Sequence, residues 1–172
     1  MDNKGKILII PRHLVILRFI ELPSIDASEL KNMAEFQALK ETPYSKDEII
    51  ISYRNLGSYK KGFSYIMLAI VKKEIIENMM QQAKDEIEDI RLETELLYSF
   101  LLQKGIIKSD KVSLAINIKK EYAEIVITDK TKLIFSRSIK NRADLMKELA
   151  NSMLFYNRDK ANNAINDVNV VY

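Results

Sequence analysis

The stretch VSLAINIKKEYAEIVITDKTKLIFSRSI, residues 112–139, sets the fold class. Val112, Leu114, Ile116 and Ile118 alternate with Ser113, Ala115 and Asn117, the period of two that places successive side chains on opposite faces of a strand. Two further strand-like runs follow at 122–128 and 133–139, joined by polar connections at 117–121 and 129–132. The first connection, Asn117-Ile118-Lys119-Lys120-Glu121, contains no glycine.

Outward from this stretch the pattern alternates between strand and helix. After it, 142–156 reads as a helix and 166–172 as a strand. Before it, 93–104 reads as a helix, with Gly105 where a C-terminal cap glycine belongs. The first half predicts strands at 6–10 and 14–21, separated by Pro11. A helix follows from a cap at Asp26, with Glu29 in the capping-box position, to about Thr42, where Pro43 stops it. Leu30, Met33, Ala34, Gln37 and Ala38 form its inner face, widened by Phe36 and Leu39. Strands are expected at 48–55 and 63–71, with a polar loop at 56–62. A helix is expected at 73–84, with Ile75, Ile76, Met79, Met80 and Ala83 inward, and an extended segment at 87–92. The order is β-β-α-β-β-α-β, then α-β-β-β-α-β. This is an α/β chain with mixed sheets, divided into subdomains at 6–90 and 91–172. A strand at the very end leads to the expectation that the chain is a fragment of something longer.

Composition narrows the function classes. With 172 residues, 47% of them hydrophobic and 30% charged, the chain can bury a core without a staple. It has no cysteine, which removes disulfides, thiolate metal sites and cysteine nucleophiles, and suits a reducing cytoplasm. The 27 basic and 24 acidic residues are interspersed, giving a net charge of +3. Lys60-Lys61, Lys72-Lys73 and Lys119-Lys120 are isolated pairs. Nucleic-acid binding needs clustered cations over successive phosphates, so no nucleic-acid partner is expected. No apolar run approaches the ~20 residues of a membrane span, and direct membrane insertion of this chain is not expected.

Catalytic candidates are few. His13 stands alone beside Arg12 and reads as a surface residue. The acidic run Asp85, Glu86, Glu88 and Asp89 reads as a solvated turn, with no glycine to fold it around a cation. Phosphate cradles use glycine so that several backbone N–H groups converge on the anion. Gly5, Gly57, Gly62 and Gly105 are the only glycines, and none forms a phosphate-binding motif. No metal, cofactor or catalysis is expected.

Short motifs across most of the chain resemble the PilM family of type IV pilus assembly proteins and the related GspL proteins of type II secretion. The run Arg12-His13-Leu14-Val15-Ile16-Leu17-Arg18-Phe19-Ile20-Glu21-Leu22-Pro23-Ser24 resembles their strand ending in Arg-aliphatic-Leu-Pro before a capped helix. Glu35-Phe36, Pro43-Tyr44, Ile49-Ile50-Ile51-Ser52-Tyr53 and Ile66-Met67-Leu68-Ala69-Ile70-Val71 follow in family order. Residues 114–128 resemble the second phosphate hairpin of these actin-like proteins, and Leu133-Ile134-Phe135-Ser136-Arg137-Ser138-Ile139 their third strand. The resemblance implies an actin-like, ribonuclease-H-type fold, with 6–90 as a small inserted subdomain and 91–172 as part of the main one. Two departures stand out. The first phosphate hairpin has no counterpart before Lys6, and Asn117-Ile118-Lys119 occupies the Asp-x-Gly position of the second.

The resemblance and its departures imply a non-catalytic cytoplasmic scaffold of a type IV pilus or type II secretion machine. Such a scaffold sits at the inner face of the inner membrane through partners or missing sequence. It links an inner-membrane assembly protein to the secretion or pilus ATPase, and a homodimer stays open. Partner contacts are expected at open strand edges and at Tyr53, Tyr59 and Tyr65. The alternative is a nucleotide-binding actin-like protein, of PilM or cell-division type, present as a fragment, with Lys119 and Lys120 facing phosphates.

Overall fold

A computed structural model describes residues 6–58, 60–83, 86–140, 144–159 and 167–171. Contacts divide the chain into two compact units. One holds β1 (Lys6–Ile10) and Leu14–Arg91; the other holds Pro11–His13 and the described chain from Leu92 onward.

In the first unit β1 pairs with β5 (Ile87–Leu92) in a two-stranded sheet. Pro11 ends β1, and Arg12–Leu14 form a single 3-10 turn, so β2 (Ile16–Leu22) starts two residues later than alternation predicts. The helix α1 (Ala27–Lys40) is capped by Asp26, whose carboxylate accepts from the Ser28 and Glu29 N–H groups at 2.9 Å each. The expected capping box closes through a relay. Glu29 accepts from the Ser24 hydroxyl (2.5 Å), and the Ser24 oxygen accepts from the Asp26 N–H (3.0 Å). Leu30, Ala34 and Ala38, one helical turn apart, are buried. Phe36 and Leu39 point outward instead of widening that stripe, and the Lys40 ammonium lies 4.2 Å from the Phe36 ring centre.

The strands β3 (Ile49–Asn55) and β4 (Ser64–Lys72) complete an antiparallel sheet in the order β2-β4-β3. The central strand β4 has eight consecutive buried residues, because both of its faces are covered. Ile66, Leu68 and Ile70 meet Leu30, Ala34 and Ala38 of α1, with Leu22 and Ile49 closing the core. In α2 (Lys73–Ala83) Ile76 is buried, Ile75 and Met79 are half-buried, and Met80, expected inward, is exposed. Glu88 and Asp89 belong to β5 and not to a turn, and Asp89 bonds Arg91 at 2.6 Å; Asp85 lies outside the described residues.

The second unit begins with α3 (Glu93–Gln103). Gly105, at φ +65°, takes the left-handed conformation that ends this helix. Its N–H donates to Leu102 O and that of Ile106 to Leu101 O, both at 3.0 Å, the paired bonds of a Schellman cap. Then come β6 (Val112–Ile118), β7 (Ala123–Asp129), β8 (Lys132–Ile139), α4 (Leu145–Asp159) and β9 (Asp167–Val171). The sheet order is β8-β7-β6-β9; β6, β7 and β8 are antiparallel, and β9 runs parallel to β6. A parallel neighbour requires a crossover, and α4 lies within that connection. Of the expected helix and strand ends, Arg142, Asn166 and Tyr172 lie outside the described residues.

Consecutive residues of β8 assign the two helices to opposite faces. Ser136 lies within 3.4 Å of Thr94 on α3, whereas Arg137 reaches Glu148 (2.5 Å) and Ser152 (3.4 Å) on α4. Adjacent strand residues point to opposite sides, so α3 covers one face and α4 the other. The α4 face is lined by Leu114, Ile116, Ile125 and Ile127, and the α3 face by Ser113, Ala115, Asn117, Glu124, Val126 and Thr128.

Candidate functional site

The β6–β7 hairpin is the place where a phosphate cradle is expected and its residue types are missing. Ile118 pairs with Ala123, and the Lys119 N–H donates to Tyr122 O at 2.9 Å, leaving Lys120 and Glu121 as an exposed tip. No residue from Asn117 to Tyr122 has a positive φ. An anion nest forms when a right-handed residue is followed by a left-handed one, turning successive N–H groups to a common point. This tip lacks that alternation, so its amides do not converge.

The side chains of the hairpin turn to the protein. Asn117 is half-buried and faces Glu124 across the ladder. The Lys119 ammonium forms an ion pair with Glu93 and lies 5.6 Å from the Tyr122 ring centre. It therefore faces an internal carboxylate, where the nucleotide alternative has it facing phosphates. Lys120 is exposed.

Two buried glutamates organise this face. Glu93 is the first residue of α3, where a carboxylate is favoured by the positive end of the helix dipole. Its Oε2 accepts from the Arg12 backbone N–H (2.9 Å) and from the Tyr122 hydroxyl (2.6 Å). Glu124, in the middle of the sheet, is 0% exposed. Its Oε1 accepts from the Thr94 hydroxyl (2.5 Å) and the Ser136 hydroxyl (2.9 Å). Its Oε2 has no hydrogen-bond partner among the described residues. Ser136 also ties in Arg12: the Nε donates to its hydroxyl (2.7 Å) and the Nη2 to its carbonyl (2.8 Å). Burial pushes the Glu124 carboxyl up, against the Thr94 and Ser136 hydrogen bonds and the Arg12 and Lys119 charges, which pull it down. Burial likewise raises the Tyr122 phenol, with Glu124 adding to the effect.

His13, read from sequence as a surface residue, is half-buried, its ring 4.4 Å from that of Tyr122. Burial lowers its pKa, and Lys140 lowers it further. Among the described residues no three histidine or acidic side chains gather as metal ligands.

The three tyrosines proposed as partner contacts fare differently. Tyr65 is buried and stacks on Phe19 at 6.4 Å, so it is not an exposed contact. Tyr53, on the outermost strand β3, is half-buried; its hydroxyl donates to Ala27 O at 3.2 Å and its ring packs on the α1 core. Tyr59 lies outside the described residues.

Arg12, Glu93, Thr94, Tyr122, Glu124 and Ser136 were not singled out as a site by sequence. One signal was present: Glu124 interrupts the apolar run Ala123-Glu124-Ile125-Val126-Ile127, placing a charge where both neighbours are core residues.

No family model matches the sequence, and no curated protein matches it. Solved structures do. The chain is similar to the PilM–PilN type IV pilus biogenesis complex, with a TM-score of 0.66 and 17% identity, over 92% of this chain and 51% of that one. It is similar to a Bacteroides thetaiotaomicron protein of unknown function with an actin-like ATPase fold (TM-score 0.59, 13% identity, 98% and 60% covered). It is also similar to the cytoplasmic domain of EpsL, an inner-membrane component of the type II secretion system of Vibrio cholerae (TM-score 0.62, 10% identity, 99% and 66% covered). The chain spans between half and two thirds of the length of these structures. At these identities the likeness is one of fold, and it agrees with the resemblance read from the motifs: the chain shares its fold with the PilM–PilN and EpsL structures and with a protein of actin-like ATPase fold.

Proposed function

We propose that the chain is part of a non-catalytic scaffold in a type IV pilus or type II secretion machine, joining an inner-membrane assembly protein to the machine's ATPase. The observation that carries this reading is the β6–β7 hairpin. Its backbone forms no anion nest, and Lys119 is paired with Glu93. Catalysis at a phosphate needs convergent donors free to meet the anion; here the tip amides do not converge and Lys119 is held by Glu93. The fold likeness to a pilus biogenesis complex and to a secretion-system domain supports the machine class. The outermost strands β2 and β3 are the surfaces on which an extended partner segment would add by backbone hydrogen bonds.

The test is calorimetric titration of the protein with ATP and magnesium. No binding heat is expected up to millimolar nucleotide. Micromolar binding overturns the scaffold reading and installs the nucleotide-binding one.

A further inference from the structure

We infer that Glu124 is a neutral carboxylic acid through the neutral range, its carbonyl oxygen accepting the Thr94 and Ser136 hydroxyls that tie α3 and β8 to β7. The geometry is that of a neutral acid. The carboxyl is wholly buried, both of its hydrogen bonds fall on Oε1, and Oε2 has no partner among the described residues. An ionised carboxylate spreads its charge over both oxygens, and a buried anionic oxygen without a donor is among the costliest groups a fold can hold. A carboxylic acid presents one carbonyl oxygen as acceptor, and that is the atom on which the hydroxyls of Thr94 and Ser136 converge.

The surrounding charges are already committed. The Arg12 guanidinium donates to the Ser136 hydroxyl and carbonyl, so it reaches Glu124 through that hydroxyl. The Lys119 ammonium is held by Glu93, and the remaining titratable groups near Tyr122 are His13, whose ring packs on it, and the Glu121 and Lys140 charges, which act on that imidazole. Tyr122 adds its phenol, which donates to Glu93, and Asn117 is neutral. Burial raising the Glu124 carboxyl agrees with this reading.

The consequence is a stability loss on the alkaline side. The folded state keeps a proton that the unfolded state releases near the ordinary carboxylate value. Between that value and the raised folded one, unfolding releases a proton. Each pH unit in that window therefore multiplies the opening constant by up to tenfold, until the folded carboxyl itself ionises. The effect lies in the second unit, because the hydroxyl partners of Glu124 come from α3 and β8.

Two measurements on the whole chain test this. The first is amide hydrogen exchange at Leu97, Ile125 and Ile127, compared at each pH between the native chain and Glu124→Gln, a neutral isostere. As pH rises from 5 to 8, native protection should fall relative to the variant by up to tenfold per unit. A ratio constant across that range overturns the inference. The second needs no variant and stands if Glu124→Gln fails to fold: the carbon-13 shifts of the glutamate carboxyls. One carboxyl should remain at the protonated position at pH 7. Every glutamate at the ionised position at pH 7 overturns the inference.

Discussion

The two larger sheets solve the same problem, covering a face with a helix, by different means. In the β2-β4-β3 sheet the face under α1 is apolar: Ile66, Leu68 and Ile70 meet Leu30, Ala34 and Ala38. Its charged pairs lie at the surface, as in Arg18 with Glu41 and Lys46 with Glu35. In the β8-β7-β6-β9 sheet the face under α3 is mixed: Ala115 and Val126 are buried there beside Ser113, Thr128 and Glu124, and α3 brings the buried Glu93 and Thr94 as well as Leu97 and Leu101. An apolar face tolerates imprecise partners because dispersion and burial are non-directional. A face with buried polar groups is stable only when its donors and acceptors are matched, so it fixes the position of α3 and of the Arg12 turn more narrowly. The region with the degenerate hairpin thus holds α3 by buried side-chain hydrogen bonds as well as by apolar burial.

The comparison can be broken by substitution. The largest effect is expected from Leu68→Ala, which empties a 0% exposed site in β4. It should cost about 3–4 kcal/mol, seen as lost amide protection in the first unit. Equal loss of protection in the second unit would mean that the two units unfold as one. Next is Glu93→Ala, which orphans the Arg12 N–H and the Tyr122 hydroxyl. A destabilisation of about 2–3 kcal/mol is expected, confined to the second unit and measured by denaturant unfolding or hydrogen exchange. A change within error would show that the glutamate is dispensable and the polar face loosely specified. The smallest effect belongs to Lys119→Ala. Its side chain is 41% exposed, so screening should hold the loss to under about 1 kcal/mol. If Lys119→Ala equals Glu93→Ala, the ion pair and not the neutral donors organises the hairpin.

Much of the fold was legible because its signals are local. Pro11 and Pro43 break elements through their missing N–H and fixed backbone, Asp26 caps α1 by reaching two amides of its own first turn, and Gly105 ends α3 through a left-handed backbone. The errors are equally instructive. Phe36, Leu39 and Met80 neighbour a buried stripe and by spacing read as inward, yet they are exposed, because one helix face can present only a limited arc to a sheet. Tyr65 reads from sequence as an exposed aromatic, but β4 is central and covered on both faces.

The polar site divides along the same line. Glycine is absent from residues 117–121, and with it the residue that takes left-handed backbone freely; Ile118 or Lys119 would do so at a cost of roughly 1–2 kcal/mol. That absence is a property of sequence. What fills the place is not. Arg12 meets Ser136 across 124 positions of chain, Arg12 meets Glu93 across 81, and Thr94 meets Glu124 across 30. No periodicity encodes such pairings, because each depends on sheet order, strand register and the face that a helix covers. The sequence alone determined the order of elements and the missing glycine. Only the tertiary structure decided that Glu124 is buried with one unpartnered oxygen, since burial is a property of what packs against a residue, not of the residue itself.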